Sequence, residues 1–350
     1  MVKRFLEGRL LWLVMAAVMV ITAGFVESTD SVHANFGPQE KSYGKHYFED
    51  GSTSMEGWYL LTASAKVKEG FWKYYYPNAT VKSEGSYKNE LEEGWWRAYH
   101  ENGELSEVGK YEAGKRVGYW EGRFASGRLL ETGHYANGER TGYWKTYYGN
   151  GTLKSEGSCE ADKKVGHWIS YRKDGKIREN GDYANGKRTG NWKGYYPDGS
   201  VMTYGAYKNG AKEGYWKYFH SNGLLHMEGW YEGGEKTSGW KYYAESGKLL
   251  GEGDHKNDSK WGYWRHYYAN GNPKSEGFYV HDEFDNWWKF YTESGDILFE
   301  GNYEDGQKDG YAKYYKEGTL MSEGKYESDH KVGSWKYYNP DGSVKRVFTY

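Results

Sequence analysis

From Gly70 onward, aromatic and polar residues alternate in short runs broken by Gly and Asn, a period-two pattern that predicts β-strands joined by tight turns. The runs themselves repeat. A unit reading G-Y-W-K-x-Y-Y-x-N-G-x-L-x-S-E-G-x-Y-x-N-G-K-x-x begins at residues 70, 94, 118, 142, 166, 190, 214, 238, 262, 286, 310 and 333, a period of 24 broken by one deletion near Lys316-Glu317-Gly318. Its third position holds Trp72, Trp96, Trp120, Trp144, Trp168, Trp192, Trp216, Trp240, Trp264, Trp288 and Trp335, with Ala312 the exception. A degenerate first unit runs from about Ser42 to Glu69 and ends in a four-residue insertion, which makes about 13 units with divergent ends, as expected of a capped stack.

Each unit contains two turn signals. The first includes Asn102-Gly103, Asn150-Gly151, Asp198-Gly199, Asn222-Gly223 and Asn270-Gly271; the second includes Asn137-Gly138, Asn185-Gly186, Asn209-Gly210 and Asp305-Gly306. Both dipeptides accept positive φ at the two central positions of a type I′ turn, so each unit is expected to supply two strands of one continuous antiparallel meander. Centring the first turn on Asn-Gly places Lys217 opposite Glu228, Trp216 opposite Gly229 and Phe219 opposite His226. Trp216, Tyr218, Met227 and Tyr231 then share one face, and Tyr215, Lys217, Phe219 and Glu228 the other. A glycine recurs opposite each Trp, as at Gly85, Gly109, Gly157 and Gly229, and an indole can lie flat over such a bare backbone. Lys73 and Glu84, Lys145 and Glu156, Lys217 and Glu228, Lys241 and Glu252, Arg265 and Glu276, and Lys289 and Glu300 face each other as cross-strand ion pairs. The fold class is therefore all-β, an elongated meander of tandem hairpins in a ribbon or solenoid. About 26 strands at roughly 4.8 Å spacing give a length on the order of 120 Å unless the sheet coils.

Composition adds a constraint on the core. Aromatic residues make up 19% of a chain that is only 37% hydrophobic, so apolar burial must come from Trp and Tyr. Gly is abundant at 50 but Pro is scarce at 5, which separates the chain from collagen-like and low-complexity sequences. With a formal charge of -2, no basic field is expected that could hold nucleic acid. Cys159 is alone, so no intramolecular disulfide exists, and it fills a position that is Tyr in most units. Upstream, a basic stretch from Met1 to Arg9, an apolar run from Leu10 to Val26 and a polar end at Val32-His33-Ala34 have the layout of a signal helix. Residues 1–34 are expected to be a cleaved signal peptide or an uncleaved anchor, 35–41 a linker, and 42–350 the array, facing a secreted, periplasmic or cell-surface environment.

The motif G-Y-W-K-x-Y-Y-x-N-G-x-L-x-S-E-G followed by Y-x-N-G-K resembles the bacterial MORN-variant repeat over about residues 42–350. The resemblance implies a β-hairpin array used for binding or scaffolding, of the kind commonly labelled YwqK-type antitoxins. Departures fall at Cys159, Ser238, His255, Asn286 and Ala312. Choline- and glucan-binding repeats also combine G-W with W-Y-Y, but their unit is shorter and lacks the E-G-x-Y half.

No constellation of residues suggests catalysis, a metal or a cofactor. The recurring Glu of S-E-G faces a base across the hairpin, the eleven histidines lack ligand spacing, and Asp282, Glu283 and Asp285 lie in a turn without the alternating oxygen ligands of a calcium loop. The expected function is that of an exported, non-catalytic scaffold for a protein partner or for self-association, with no nucleic acid and with membrane contact only through the N-terminal segment. Glycan binding through aromatic ladders, or an exported immunity role, are the alternatives. Tyr119, Tyr143, Tyr215 and Tyr263 form the candidate binding surface.

Overall fold

The computed structural model describes residues 40–350; the expected signal segment lies outside the described residues. Twenty-six strands, from β1 (Lys41–Tyr47) to β26 (Val344–Thr349), each pair antiparallel with the next in the chain. All substantial contacts between elements join consecutive strands, so among the described residues the sheet is a single open layer.

From Gly70 onward the second turns are the expected two-residue type, whereas the first unit has a four-residue loop between Leu61 and Lys66. Asn209 and Gly210 have φ of 53° and 90°, and Lys208 pairs with Ala211 across them. The first turn differs. Between β15 (Ala211–Phe219) and β16 (Leu225–Glu232), the His220 N–H donates to the Leu224 carbonyl at 2.8 Å and the Gly223 N–H to the His220 carbonyl at 2.9 Å. Only Gly223 has positive φ, 83°. This is a three-residue loop, a type I turn closed by a glycine bulge. The bulge slips the register by one residue, so Phe219 pairs with Leu225 and not with His226. Asn222 serves another purpose than positive φ. Its side-chain oxygen accepts the Leu224 N–H at 3.0 Å, and its amide donates to the Glu245 carbonyl of the next unit at 2.6 Å. The deletion is absorbed at this same turn. Lys316 pairs with Thr319 around Glu317 and Gly318, both at positive φ, so the longer loop becomes a two-residue one and the pairing of Ala312 with Gly324 is kept.

Trp216 is in register with Gly229, as expected, but the ring lying over Gly229 is that of Trp240, from the following unit. The cause is a second bulge. Between β16 and β17 (Glu235–Tyr243), Glu228 pairs with Lys241 and Trp230 with Thr237, so three residues stand opposite Gly229 alone. The chain bends there through a residue at positive φ, Gly214 (74°) in one unit and Ser238 (54°) in the next, and the indole folds back over the preceding hairpin. Its Nε1–H donates to the Trp230 carbonyl at 3.1 Å. The same seat recurs for Trp96 on Gly85, Trp120 on Gly109 and Trp168 on Gly157, where a Cβ would collide with the ring. Each indole is thus a key that locks one hairpin to its predecessor.

This arrangement explains how a single-layer sheet has a core. Tyr231 stands edge-on between Trp216 (6.0 Å) and Trp240 (5.1 Å), a contact worth about 0.5–1.5 kcal/mol per pair beyond area burial. A cation lies over most of these indoles, with Lys212 4.9 Å from the Trp216 ring and Arg188 4.1 Å from the Trp192 ring, while Phe284 takes that place 4.2 Å from the Trp288 ring. Under these covers the Trp row is between 0% and 8% exposed. The lock ends at both termini. Gly44 occupies the Trp position of the first unit, opposite Gly57, and Phe348 occupies the Gly position of the last, opposite Trp335.

The left-handed backbone at Ser238 costs a non-glycine residue about 1 kcal/mol. Ser238→Gly is expected to stabilise the protein by about that amount in urea unfolding; an unchanged or lower midpoint would count against the bulge.

Candidate binding surfaces

Tyr119, Tyr143, Tyr215 and Tyr263 lie on the face opposite the Trp row and are 47%, 50%, 39% and 41% exposed. Each is the second residue of its unit, and its cross-strand partner is often another ring. Tyr215 pairs with Trp230 at 5.3 Å, Tyr263 with Phe278 at 5.3 Å and Tyr119 with His134 at 5.5 Å, all edge-to-face. Phe71, Trp95, Trp230 and Phe278 are exposed on the same row, and Tyr43 repeats the pairing with Trp58 in the first unit. Sequence reasoning missed these rings because it followed the tyrosines of one strand. The signal was the register itself, which puts the residue after each E-G opposite the second residue of the unit.

The row lapses at His167, Asn191 and Ser334, and at Gly239 it is broken between two tyrosines. Gly239 stands where its neighbours carry Tyr215 and Tyr263, leaving a notch of about 440 Å³. Tyr215 and Trp230 wall one side and Tyr263 the other, with Lys241, Glu252 and Arg265 among its polar lining.

The Glu row between these rings is engaged more fully than ion pairing requires. Lys73 reaches Glu84 at 3.6 Å, Lys145 reaches Glu156 at 3.8 Å, Lys217 reaches Glu228 at 3.9 Å, Lys241 reaches Glu252 at 3.6 Å and Arg265 reaches Glu276 at 3.0 Å. Glu300, in register with Lys289, has its ion pair instead with Lys313 of the next hairpin, at 3.9 Å. A tyrosine of the following unit makes the shorter contact. Tyr171 donates its hydroxyl to Glu156 at 2.6 Å, Tyr243 to Glu228 at 2.9 Å and Tyr315 to Glu300 at 2.6 Å. Burial, then the bond to Glu156, pushes the Tyr171 phenol up to about 12. In the first unit, hydrogen bonds from Tyr75 and Lys45 hold the Glu56 carboxyl below its usual range. These acids are structural acceptors that tie unit to unit.

Asp282 is likewise occupied. It sits at positive φ in a two-residue turn and accepts the Lys260 N–H at 2.8 Å. Among the described residues, no group of three or more His, Cys, Asp and Glu side chains converges as metal ligands would. Cys159 is buried with Trp144 and Trp168 in the place of a ladder tyrosine, and burial pushes its thiol up against the pull of Arg140 and Lys164.

Six segments of the chain, residues 68–89, 140–158, 188–209, 240–257, 262–281 and 288–305, match the family described as MORN repeat variant. No curated protein matches the chain. Solved structures with some likeness include the crystal structures of TcdB2-TccC3-Cdc42 (11% identity, TM-score 0.17, covering 87% of this chain and 20% of that one) and of TcdB2-TccC3 without its hypervariable C-terminal region (12% identity, TM-score 0.18, with the same coverage). The chain thus spans about a fifth of the length of those chains.

Proposed function

The chain is an array of MORN-variant repeats, and on that premise we propose that it is a non-catalytic scaffold of the cell envelope, exported by its N-terminal segment, that holds a protein partner on the exposed aromatic row. The observation that carries the reading is the set of cross-strand ring pairs left open to solvent on a sheet whose Trp row is consumed in the core. Large exposed apolar patches mark interaction surfaces, and Tyr and Trp are the residues enriched at protein interfaces. Repetition along the array adds avidity without new kinds of contact.

The test is affinity capture from the protein's own cells, comparing the native chain with the triple variant Tyr215→Ala, Trp230→Ala and Tyr263→Ala. A partner held by the native chain and lost by the variant is expected; equal retention by both would refute the role of the row. N-terminal sequencing of protein recovered outside the cytoplasm tests export, and recovery only from the cytoplasm would overturn it. The Gly239 notch favours a second reading, in which a sugar ring of a wall polymer enters between Tyr215 and Tyr263. In that case the protein sediments with purified wall polymer and loses Trp fluorescence on binding; failure of both removes the reading.

A further inference from the structure

The Trp face departs from its own pattern in the middle of the array. Two residues after the Trp, outer units carry a large ring, at Tyr74, Tyr218, Tyr242, Tyr314 and Tyr337. Five consecutive central units carry Ala98, Gly122, Thr146, Ser170 and Gly194 instead. Over Ser170 and Gly194 the face opens into two adjoining cavities of about 240 and 490 Å³, which share Arg178, Glu179, Arg188 and Trp192. Six Lys and Arg line them from this face, against Glu179 as the one acid; Lys193 also borders the larger cavity, but its ammonium lies 5.7 Å from the Tyr204 ring on the other face. The surrounding stretch, residues 154–217, has thirteen Lys and Arg to eight Asp and Glu, although the whole chain has 47 to 49. A net charge near zero conceals a local basic field.

The single acid is spent within the cleft. Both oxygens of Glu179 accept from Arg188 Nη2 at 2.9 Å, and one also meets Arg178 at 3.2 Å. Arg172 donates one nitrogen to the Tyr195 carbonyl, while its Nε is buried without a hydrogen-bond partner. Lys164, 4.1 Å from the Trp168 ring, has its ammonium pushed below the usual lysine range, first by burial and further by Arg188 and Arg178, against the pull of Cys159 and Glu179. Half-buried positive charges in excess of their partners are costly, and an entering anion removes that cost.

We propose that this central cleft binds a small ligand carrying two or more oxyanionic groups, carboxylate or phosphate. The larger cavity, about 490 Å³, has the size of a small-molecule site, and the smaller extends it. Guanidinium forks match the planar geometry of such groups, and in the cleft Arg188 already holds a carboxylate, with Nη2 shared between both oxygens of Glu179. The site lies on the opposite face from the aromatic row and does not depend on the scaffold reading.

Calorimetric titration of the full chain with citrate and, separately, with inorganic tripolyphosphate tests the proposal. One saturable site is expected, weakened by added salt, and the tighter probe identifies carboxylate or phosphate as the natural group. Arg178→Ala is expected to weaken it about tenfold or more. Ser170→Tyr should abolish binding by filling the cleft with the ring that five other units carry. That variant can rebuild the trio seen where Lys212 bonds Tyr218 at 2.6 Å and Tyr218 meets Tyr231 at 2.9 Å, so its melting transition should be retained. Lys274→Ala, at the position of Arg178 in another unit, should leave binding unchanged. Absence of saturation with both probes would overturn the proposal, as would binding that survives Ser170→Tyr or falls equally in Lys274→Ala. Retention of heparin without binding of either small anion would also overturn it, leaving only a diffuse basic surface.

Discussion

Trp240→Ala is expected to destabilise the array by about 3–5 kcal/mol, the range for removing a fully buried large aromatic. Because stability in a repeat array passes from neighbour to neighbour, the loss should also split the unfolding transition between the units on either side. The seat matters as well as the key. At Gly229 a Cβ would run into the Trp240 ring, so Gly229→Ala is expected to cost about 1–3 kcal/mol through overpacking. At Gly239 the nearest atom a Cβ would meet is 3.8 Å away, so Gly239→Ala should stay within about 0.5 kcal/mol of the native protein. Urea unfolding of the three variants checks the set. Equal effects at Gly229 and Gly239 would show that the indole does not rest on the preceding hairpin.

The second large effect concerns the one unit without its Trp. Ala312 and Phe299 are 1% and 6% exposed, and Phe299 Cζ lies 2.8 Å from where a Cβ on Gly301 would be. Phe299 stands where other units have Ser83, Ser275 or Ser322, and it fills the space the missing indole vacates. Ala312→Trp alone is expected to cost about 1–3 kcal/mol by crowding that ring. Phe299→Ser alone should cost about 3–5 kcal/mol by emptying the site. The double variant restores the ordinary pair, so the two changes should couple by at least about 2 kcal/mol in a double-mutant cycle. Additive costs would mean that Phe299 and Ala312 do not compensate each other.

The strands, the second turn and the pairing of Trp with Gly across each hairpin were legible because they follow from period-two alternation and Asn-Gly spacing alone. The first turn was misread because the same Asn-Gly dipeptide suits two loops of different length. A signal did separate them. Pro77, Pro197 and Pro340 each stand just before the Asn or Asp of a first turn, at the position a type I turn favours for Pro. The Trp seat was assigned to the wrong hairpin because it depends on the bulge, and the residue that makes the bulge, the opening Gly of each unit, was read as ordinary strand. The exposed tyrosines were identified from alternation, whereas their partners Trp230 and Phe278 and the notch at Gly239 required comparing what each unit lacks. The basic cleft was hidden for a related reason. Whole-chain charge averages over units, and the cleft arises where small residues at 170 and 194 coincide with Lys and Arg from three neighbouring units.

The identity of the hairpin beneath each indole is the point on which this account of the fold rests. Selective labelling of glycine, followed by NMR of the α-protons, reads it directly, since a proton under an indole face is shifted upfield by the ring current. Trp240→Ala should return the Gly229 signal to the ordinary glycine region and leave Gly253 in place. Release of Gly253 with Gly229 unmoved would place each indole on its own hairpin and contradict the lock between units.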